Sequence, residues 1–160
     1  MRILFVCLGN ICRSPILEAV LRERAARAGL VCTVASVGTG NWHVGAPADA
    51  RAVAACARRG YQLEAHRARQ LAPGDYTDHD WLLAADAANL VELGRRRPAG
   101  ASARLSLALA YADILHPRDV ADPYYGDDAD FDRVVVLAER VADAVVRRHR
   151  HDAALSERMA

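Results

Sequence analysis

Four short apolar segments recur along the chain, each followed by polar or glycine-rich residues. They cover residues 2–7, 31–37, 81–85 and 103–109. The first is an unbroken run with Ile, Phe and Val, which is typical of a strand buried on both faces of a parallel sheet. The fourth is rich in Ala, which weakens the prediction of a strand there.

Helical patterns separate these segments. Ser14 and Pro15 predict a helix start, with proline at the first helical position and Glu18 in the first turn. Two further helices are predicted over residues 49–59 and 87–97. The last helix has the clearest apolar stripe, formed by Phe131, Val134, Val135, Ala138, Val141, Ala142 and Val145.

Alternating strands and helices predict one doubly wound α/β domain over residues 1–152, with a frayed tail over residues 153–160. We find no repeat, linker or second domain. In such sheets ligands bind at the carboxyl ends of the strands. The candidate loops are therefore those that follow Cys7, Val37, Asp86 and Leu109.

Composition narrows the class of protein. The chain has 160 residues, of which 52% are hydrophobic, so it can bury a core. Its formal net charge of +1 gives no overall attraction to nucleic acid or membrane. The cluster Arg95-Arg96-Arg97 is interpreted as a solvated helix end. We see no signal peptide and no run long enough to span a membrane, which predicts a cytoplasmic location, with release independent of a signal peptide left open.

The predicted cytoplasmic location also predicts the state of the four cysteines. Cys7, Cys12, Cys32 and Cys56 are expected to be thiols in a reducing compartment. No pair has CxxC spacing and the His residues are scattered, so no metal site is predicted. Cys32 and Cys56 are interpreted as packing residues.

The segment from Cys7 to Ser14, CLGNICRS, has the most distinctive chemistry. A Cys, five residues and an Arg is weak evidence alone, because all 21 basic residues are Arg. The context strengthens it, because the Cys ends a strand and the Arg begins a helix. A loop curled at that junction forms a backbone nest for an anion, and the helix N-terminus adds positive charge. Arg13 can hold two phosphoryl oxygens, and the same field favours a Cys7 thiolate placed to attack phosphorus.

Simpler interpretations of this loop remain open. Cys7 could be a buried core thiol, since free Cys is often buried. Ser14 could be a helix N-cap, donate to the Cys7 sulfur, or do both. Cys12 could pack in the core, or it could form a disulfide with an oxidised Cys7 and make the protein redox-sensitive.

Thiolate attack on a phosphate monoester also needs a general acid for the leaving group and a base for water. Asp122 is the candidate for both steps. It precedes Pro123, which restrains the backbone, and Tyr124 and Tyr125 would supply aromatic walls. The alternative is that residues 122–126 form only a turn.

With these two motifs in place, the sequence resembles the low-molecular-weight protein tyrosine phosphatases over essentially its full length. The resemblance rests on CLGNICRSP from Cys7, on DPYYG from Asp122, and on four intervening segments. Those segments are SVGT from Ser36, GNWHVG from Gly40, HRARQL from His66 and DAANL from Asp86. The resemblance implies a sheet of four parallel strands with helices on both faces, and neither metal nor cofactor.

The resemblance also implies roles for individual residues. Cys7 would form a phosphocysteine intermediate, Arg13 would bind the phosphoryl group, and Asp122 would act as acid and then base. Ser14 would assist departure of the thiolate. The remaining implied residues bind substrate (Leu8, Gly9, Asn10, Ile11, Cys12, Trp42, Tyr124 and Tyr125) or support the loop through Asn10 (Ser36 and His66). Leu8, Trp42 and Tyr124 would line a slot for the phenyl ring of the substrate, and His43 could border this slot or be an exposed loop residue. Asp86 with Asn89 could cap a helix or brace the active-site loops.

The resulting prediction is a phosphatase for tyrosine-phosphorylated proteins, binding phosphate or a similar oxyanion, as a monomer or weak dimer. Departures from the family pattern, such as Ile16-Leu17 and Ala85, bear on packing and not on the reaction. One alternative is an arsenate reductase of the same fold, although no closely spaced cysteine pair follows Cys56. The other is a phosphate-binding module without catalysis.

Overall fold

The computed structural model describes the backbone of residues 1–159 and the side chains of residues 1–151. A four-stranded, all-parallel sheet has the order β2-β1-β3-β4. Along the chain the elements are β1 Arg2–Cys7, α1 Arg13–Arg27, β2 Thr33–Gly38, α2 Ala50–Arg58, α3 Asp75–Asp78, β3 Trp81–Ala84, α4 Ala87–Arg96, β4 Arg104–Leu107, α5 Ala108–Tyr111 and α6 Asp128–Met159. The predicted doubly wound α/β fold is confirmed.

Strand β1 is the centre of the molecule. Its successive side chains point to opposite faces, so Ile3 and Phe5 pack with α1 and α6, whereas Leu4 and Val6 join the cluster containing Tyr76 and α4. Both sets are fully buried. The unbroken apolar run predicted such a strand, and helices cover both faces of the sheet.

The sheet order puts the candidate loop at a topological switch point. From β1 the chain crosses through α1 to β2 on one side, and β3 then pairs with the other side of β1. The connections leaving β1 and β3 therefore diverge and leave a crevice at the carboxyl end of β1. Cys7 is the last residue of that strand.

Several boundaries differ from the predictions. Helix α1 begins at Arg13, so Pro15 is its third residue and Glu18 lies beyond the first turn. Proline is tolerated there because the first N–H groups of a helix have no intrahelical acceptor. Strand β4 ends at Leu107, and the Ala-rich residues that follow form the short helix α5, as their intrinsic preference favours.

Helix α6 packs along α1 and α2 and closes one face of the sheet. Its predicted stripe from Phe131 to Val145 is buried. The backbone of residues 153–159, predicted as a tail, is helical, and Ala160 lies outside the described residues. Within the described part of the chain, no helix has both the length and the apolar character needed to cross a bilayer.

Candidate active site

Twelve residues from three loops line a cavity of about 340 Å³ at the carboxyl end of β1. Eleven were predicted from the sequence, and the twelfth, His43, had been left open. The loop after β1 contributes seven of them, and the other two loops contribute the walls. The lining residues are Cys7, Leu8, Gly9, Asn10, Ile11, Cys12, Arg13, Trp42, His43, Asp122, Tyr124 and Tyr125.

Cys7 lies at the base of this slot beside a hydroxyl group. Its Sγ is 2.9 Å from Ser14 Oγ, and both residues are buried. Ser14 Oγ also lies 3.3 Å from the carbonyl of Val37. The hydroxyl has one proton, and a thiolate can only accept, so ionisation of Cys7 would direct that proton to sulfur.

Ser14 does not cap the helix. It is the second residue of α1, and the N-cap position is Cys12, whose side chain makes no capping hydrogen bond. Its hydroxyl instead accepts a hydrogen bond from Asn10 Nδ2 at 2.9 Å. The Ser14 side chain therefore connects the Asn10 side chain to the Cys7 sulfur, which excludes the interpretation of Ser14 as a simple N-cap.

Arg13 is held in place from the side of β3 and α4. Its guanidinium is almost fully buried, with 3% of the residue exposed. Nη1 donates to Asp86 Oδ2 at 2.6 Å and to the carbonyl of Val120 at 3.2 Å, and Nη2 lies 3.6 Å from Asp122 Oδ2. Cys7 and these two carboxylates raise the pKa of Arg13 against the opposing effect of burial, so it stays charged.

Asp86 performs both of the functions that the sequence left open. Its Oδ1 accepts from Asn89 N at 2.7 Å as the N-cap of α4, while its Oδ2 binds Arg13. A single carboxylate thus fixes a helix start and the arginine at once. Because β1 and β3 are parallel neighbours, their carboxyl ends bring residues 73 positions apart into contact.

Asn10 organises the loop from behind. It has a left-handed backbone with φ of 56°, and it is fully buried. Nδ2 donates to Ser14 Oγ and Ser36 Oγ, each at 2.9 Å, and Oδ1 accepts from Arg69 N at 2.9 Å. Its carbonyl is 2.7 Å from His66 Nε2, and burial lowers the pKa of that imidazole.

Behind Ser36 lies a residue whose part in the site the sequence did not suggest. Glu18 Oε2 accepts from Ser36 Oγ at 2.6 Å, and its Oε1 accepts from Arg22 at 2.7 Å. The sequence predicts Glu18 only as an acidic residue in the first turn of a helix. Helix α1 therefore supports the loop through Glu18 and Ser36, a contact for which the sequence has no local signal.

A tight approach of two backbones explains one glycine. Gly38 ends β2, and a Cβ there would lie 2.8 Å from the carbonyl oxygen of Leu8, closer than real Cβ atoms come. Thr39 N and Gly40 N donate to the carbonyls of Cys7 and Leu8, both at 2.9 Å. The loop carrying Trp42 is in this way attached to the loop carrying Cys7.

Aromatic side chains form the walls of the slot. Trp42 is 63% exposed at the rim, and His43 is half-buried against Gly9. Tyr124 and Tyr125 meet edge to face with centroids 5.0 Å apart. Arg51, which the sequence did not identify, lies over the Tyr124 ring at 5.7 Å and over Phe131 at 4.6 Å.

The second cysteine of the loop is protonated at neutral pH. Burial, with the nearby Asp49 and Cys7, raises the pKa of Cys12 to about 12. All four cysteines are free thiols. Among the described residues, no three His, Cys, Asp or Glu side chains are grouped to hold a metal ion.

Comparison with known proteins identifies the family. The family model described as low molecular weight phosphotyrosine protein phosphatase matches residues 2–155. A phosphatase of that name from Schizosaccharomyces pombe is 41% identical over 133 residues, covering 81% of this chain and 85% of the relative. A low molecular weight protein-tyrosine-phosphatase from Streptomyces coelicolor is 39% identical, with 91% of each chain covered.

The structural comparison agrees. The crystal structure of a protein tyrosine phosphatase from Entamoeba histolytica, with Hepes in its active site, superposes with a TM-score of 0.89. The two are 32% identical, and the match covers 96% of this chain and 99% of the other. On the strength of the family model and these relatives, the chain belongs to the low molecular weight phosphotyrosine protein phosphatase family.

Proposed function

We propose that this protein hydrolyses phosphotyrosine in proteins through a phosphocysteine intermediate on Cys7. The main support is that Cys7, Arg13 and Asp122 face one cavity, with Ser14 Oγ 2.9 Å from the Cys7 sulfur. A nucleophile, an anion clamp and a proton donor therefore surround a single bound group. The relatives named as phosphotyrosine phosphatases favour the same reaction.

In the first step the Cys7 thiolate attacks phosphorus and the bond from phosphorus to the tyrosine oxygen breaks. The proton of the Asp122 carboxylic acid passes to that oxygen, so tyrosine leaves as a neutral phenol. Arg13 pairs with the phosphoryl oxygens in the transition state. Asp86 holds the guanidinium at 2.6 Å, so its orientation is set before substrate arrives.

In the second step the Asp122 carboxylate takes a proton from water, and the water oxygen attacks phosphorus. The sulfur–phosphorus bond breaks, inorganic phosphate is released, and Cys7 returns to a thiolate. Ser14 donates a hydrogen bond to the departing sulfur and keeps its proton, which stabilises the thiolate. Asp122 suits both steps because its side chain is 47% exposed and can reach bulk water.

The walls of the slot favour an aryl ester. Trp42 and Tyr124 would pack against the two sides of a phenyl ring, whereas a short aliphatic phosphate would leave them in contact with water.

Arsenate reduction fits this structure less well than phosphate hydrolysis, because arsenate reduction passes oxidation from one cysteine to another. Cys32 precedes β2 at the amino end of the sheet, opposite Cys7, and Cys56 is buried in α2.

Two substitutions test the proposal. Cys7→Ser should abolish hydrolysis of an aryl phosphate while retaining binding of a phosphate analogue such as vanadate, measured by calorimetry. Asp122→Ala should slow an ester with a poor leaving group far more than one with an activated leaving group, because only the former needs protonation. Turnover by the first variant, or equal losses with both esters in the second, would reject these roles.

A further inference from the structure

A second groove of about 280 Å³ lies directly beside the catalytic slot. One side is formed by Thr39, Gly40 and Trp42, and the other by Asn89, Glu92 and Arg96 of α4. We call it the α4 groove. Leu8 and Trp42 line both the slot and the α4 groove, so the two cavities are neighbours across a shared apolar ridge.

The shared ridge is open to solvent. Leu8 is 45% exposed and Trp42 is 63% exposed, so together they present an apolar surface to solvent between the two cavities. A phosphotyrosine in the slot would have its flanking residues near this ridge. The α4 groove is therefore within reach of the peptide on one side of the phosphotyrosine.

Two arginines of α4 share one carboxylate at this groove: Arg96 lines it, and Arg95 is the preceding residue of the same helix. Glu92 pairs with both Arg95, at 2.6 Å, and Arg96, so one carboxylate faces two guanidiniums. Arg96 also donates to the carbonyl of Thr39 at 2.8 Å, which fixes it across the groove. The next carboxylate along α4, Asp86, is already paired with Arg13.

The other wall of the slot has mixed charge nearby. Asp127 and Asp128 come shortly after the slot residue Tyr125 and are exposed, and Arg51 lies over the Tyr124 ring. Attraction for an acidic side chain of a bound peptide therefore comes from the α4 side.

The α4 side of the groove contains an amide with an unsatisfied atom. Asn89 is 5% exposed, and its Oδ1 accepts no hydrogen bond from any residue that the structure describes. A buried acceptor without a donor is unfavourable. Asn89 lines the groove, so a peptide lying in the groove would bring backbone N–H groups next to this amide.

We propose that the α4 groove binds the residues next to phosphotyrosine in the substrate, and that it selects an acidic side chain there through Arg95 and Arg96. Asn89 would accept a backbone N–H of the same segment. This inference rests on the proposed phosphatase function and adds the substrate class that the site prefers.

Matched phosphopeptides test the inference. Each would carry Glu, Gln or Lys at one of the three positions on either side of the phosphotyrosine. We expect Glu on one side to raise kcat/KM about threefold to fivefold over Gln, as a partly exposed ion pair allows. Lys should lower it, and about 0.5 M salt should remove most of the difference by screening.

Variants separate the groove from the catalytic slot. Arg95→Gln removes charge without touching the Thr39 bond, so it should abolish the preference for Glu and leave a small aryl phosphate unaffected. Arg96→Gln should do the same to the peptide preference, and its aryl phosphate kinetics report any shift of the Trp42 loop. Arg97→Gln is the matched control, because Arg97 donates to the carbonyl of Ala101, whereas Arg95 and Arg96 both pair with the groove residue Glu92. Asn89→Leu should lower kcat/KM for all the peptides but not for the aryl phosphate.

The outcomes distinguish the two proposals. If neither aryl phosphate nor phosphopeptide is hydrolysed, the proposed function itself is wrong. If both are hydrolysed but Glu, Gln and Lys peptides react equally, only the groove inference is overturned. A preference for Glu that persists in Arg95→Gln and Arg96→Gln would also overturn it.

Discussion

Replacing Asn10 tests how the phosphate loop is held in shape. Its side chain makes three hydrogen bonds, to Ser14, Ser36 and the backbone of Arg69, in a fully buried position. Losing them should cost roughly 1.5–4.5 kcal/mol, at about 0.5–1.5 kcal/mol for each net bond. Alanine at a φ of 56° adds strain of about 1–2 kcal/mol, because its Cβ crowds the following carbonyl. Asn10→Ala should therefore destabilise the protein by several kcal/mol.

Asn10→Gly separates the two contributions, since glycine adopts positive φ without this strain. We expect the free energy of unfolding of Asn10→Gly to be about 1 kcal/mol higher than that of Asn10→Ala but still well below that of the wild-type protein. Urea unfolding gives the free energies, and kcat/KM for an aryl phosphate reports the loop. Both variants should lose most activity, because the hydrogen bond to Ser14 that supports the Cys7 sulfur is gone in each.

Asp113 provides the matched control. It also has positive φ, of 58°, but it is exposed and its side chain pairs with Arg148 at the surface. Asp113→Ala should cost about 1–2 kcal/mol from the backbone and leave activity unchanged. If Asn10→Ala costs no more than Asp113→Ala, the buried network adds nothing to stability and the reasoning fails. Equal stabilities of Asn10→Ala and Asn10→Gly would refute the strain component alone.

Three further changes probe the surroundings of the loop. Asp86→Asn keeps an N-cap for α4 but removes the carboxylate that holds the buried Arg13, so it should cost about 1–3 kcal/mol of stability. It should also lower kcat/KM about tenfold or more, because the guanidinium is no longer held in position. Unchanged kinetics would contradict the bracing role. Burial lowers the pKa of His66, so the unfolded chain takes up its proton first as pH falls. The neutral, buried His66 therefore contributes its stability above about pH 6.5, and that stability is lost as the pH falls below this value. The unfolding free energy of the wild-type protein should consequently decline more steeply from pH 7.5 to 5 than that of His66→Gln, and parallel declines would exclude His66. If Cys12 forms a disulfide with oxidised Cys7, dithiothreitol should restore peroxide-treated wild-type protein but not peroxide-treated Cys12→Ser, each measured against its own turnover before oxidation. Equal recovery of the wild-type protein and Cys12→Ser would indicate a packing role for Cys12.

The elements that the sequence predicted well are those with a local cause. Strand β1 is buried on both faces, so every residue from Ile3 to Val6 is apolar and the pattern is unmistakable. Strand β4 was predicted too long, because the apolar run continues into the Ala-rich helix α5. Hydrophobicity alone does not separate a strand from a buried helix, and there intrinsic helix preference decided.

The catalytic slot was predictable for a similar reason, since its phosphate loop is one continuous segment. The contacts that fix this loop were predictable only through the family resemblance, which implies Ser36 and His66 as partners of Asn10 and allows Asp86 a bracing role. The residues alone do not indicate them, because Asp86, Arg69 and His66 reach the loop from distant positions in the sequence and only the strand order makes them neighbours. The bond from Arg69 N to Asn10 was not predicted. The contact of Arg51 with the Tyr124 ring was likewise not predicted, because neither residue lies in a local sequence pattern that indicates the other.

The proposed mechanism gives a physical reason for the different exposures of Arg13 and Asp122. Arg13 is 3% exposed and braced by a carboxylate and a carbonyl, whereas the Asp122 side chain is 47% exposed. A group that stabilises transition-state charge works best when it is rigid and shielded from water, because reorganisation is then avoided. A group that receives a proton from water in every cycle must instead reach solvent. Burying Asp122 would therefore slow the second step more than the first, even if its distance to Arg13 stayed the same.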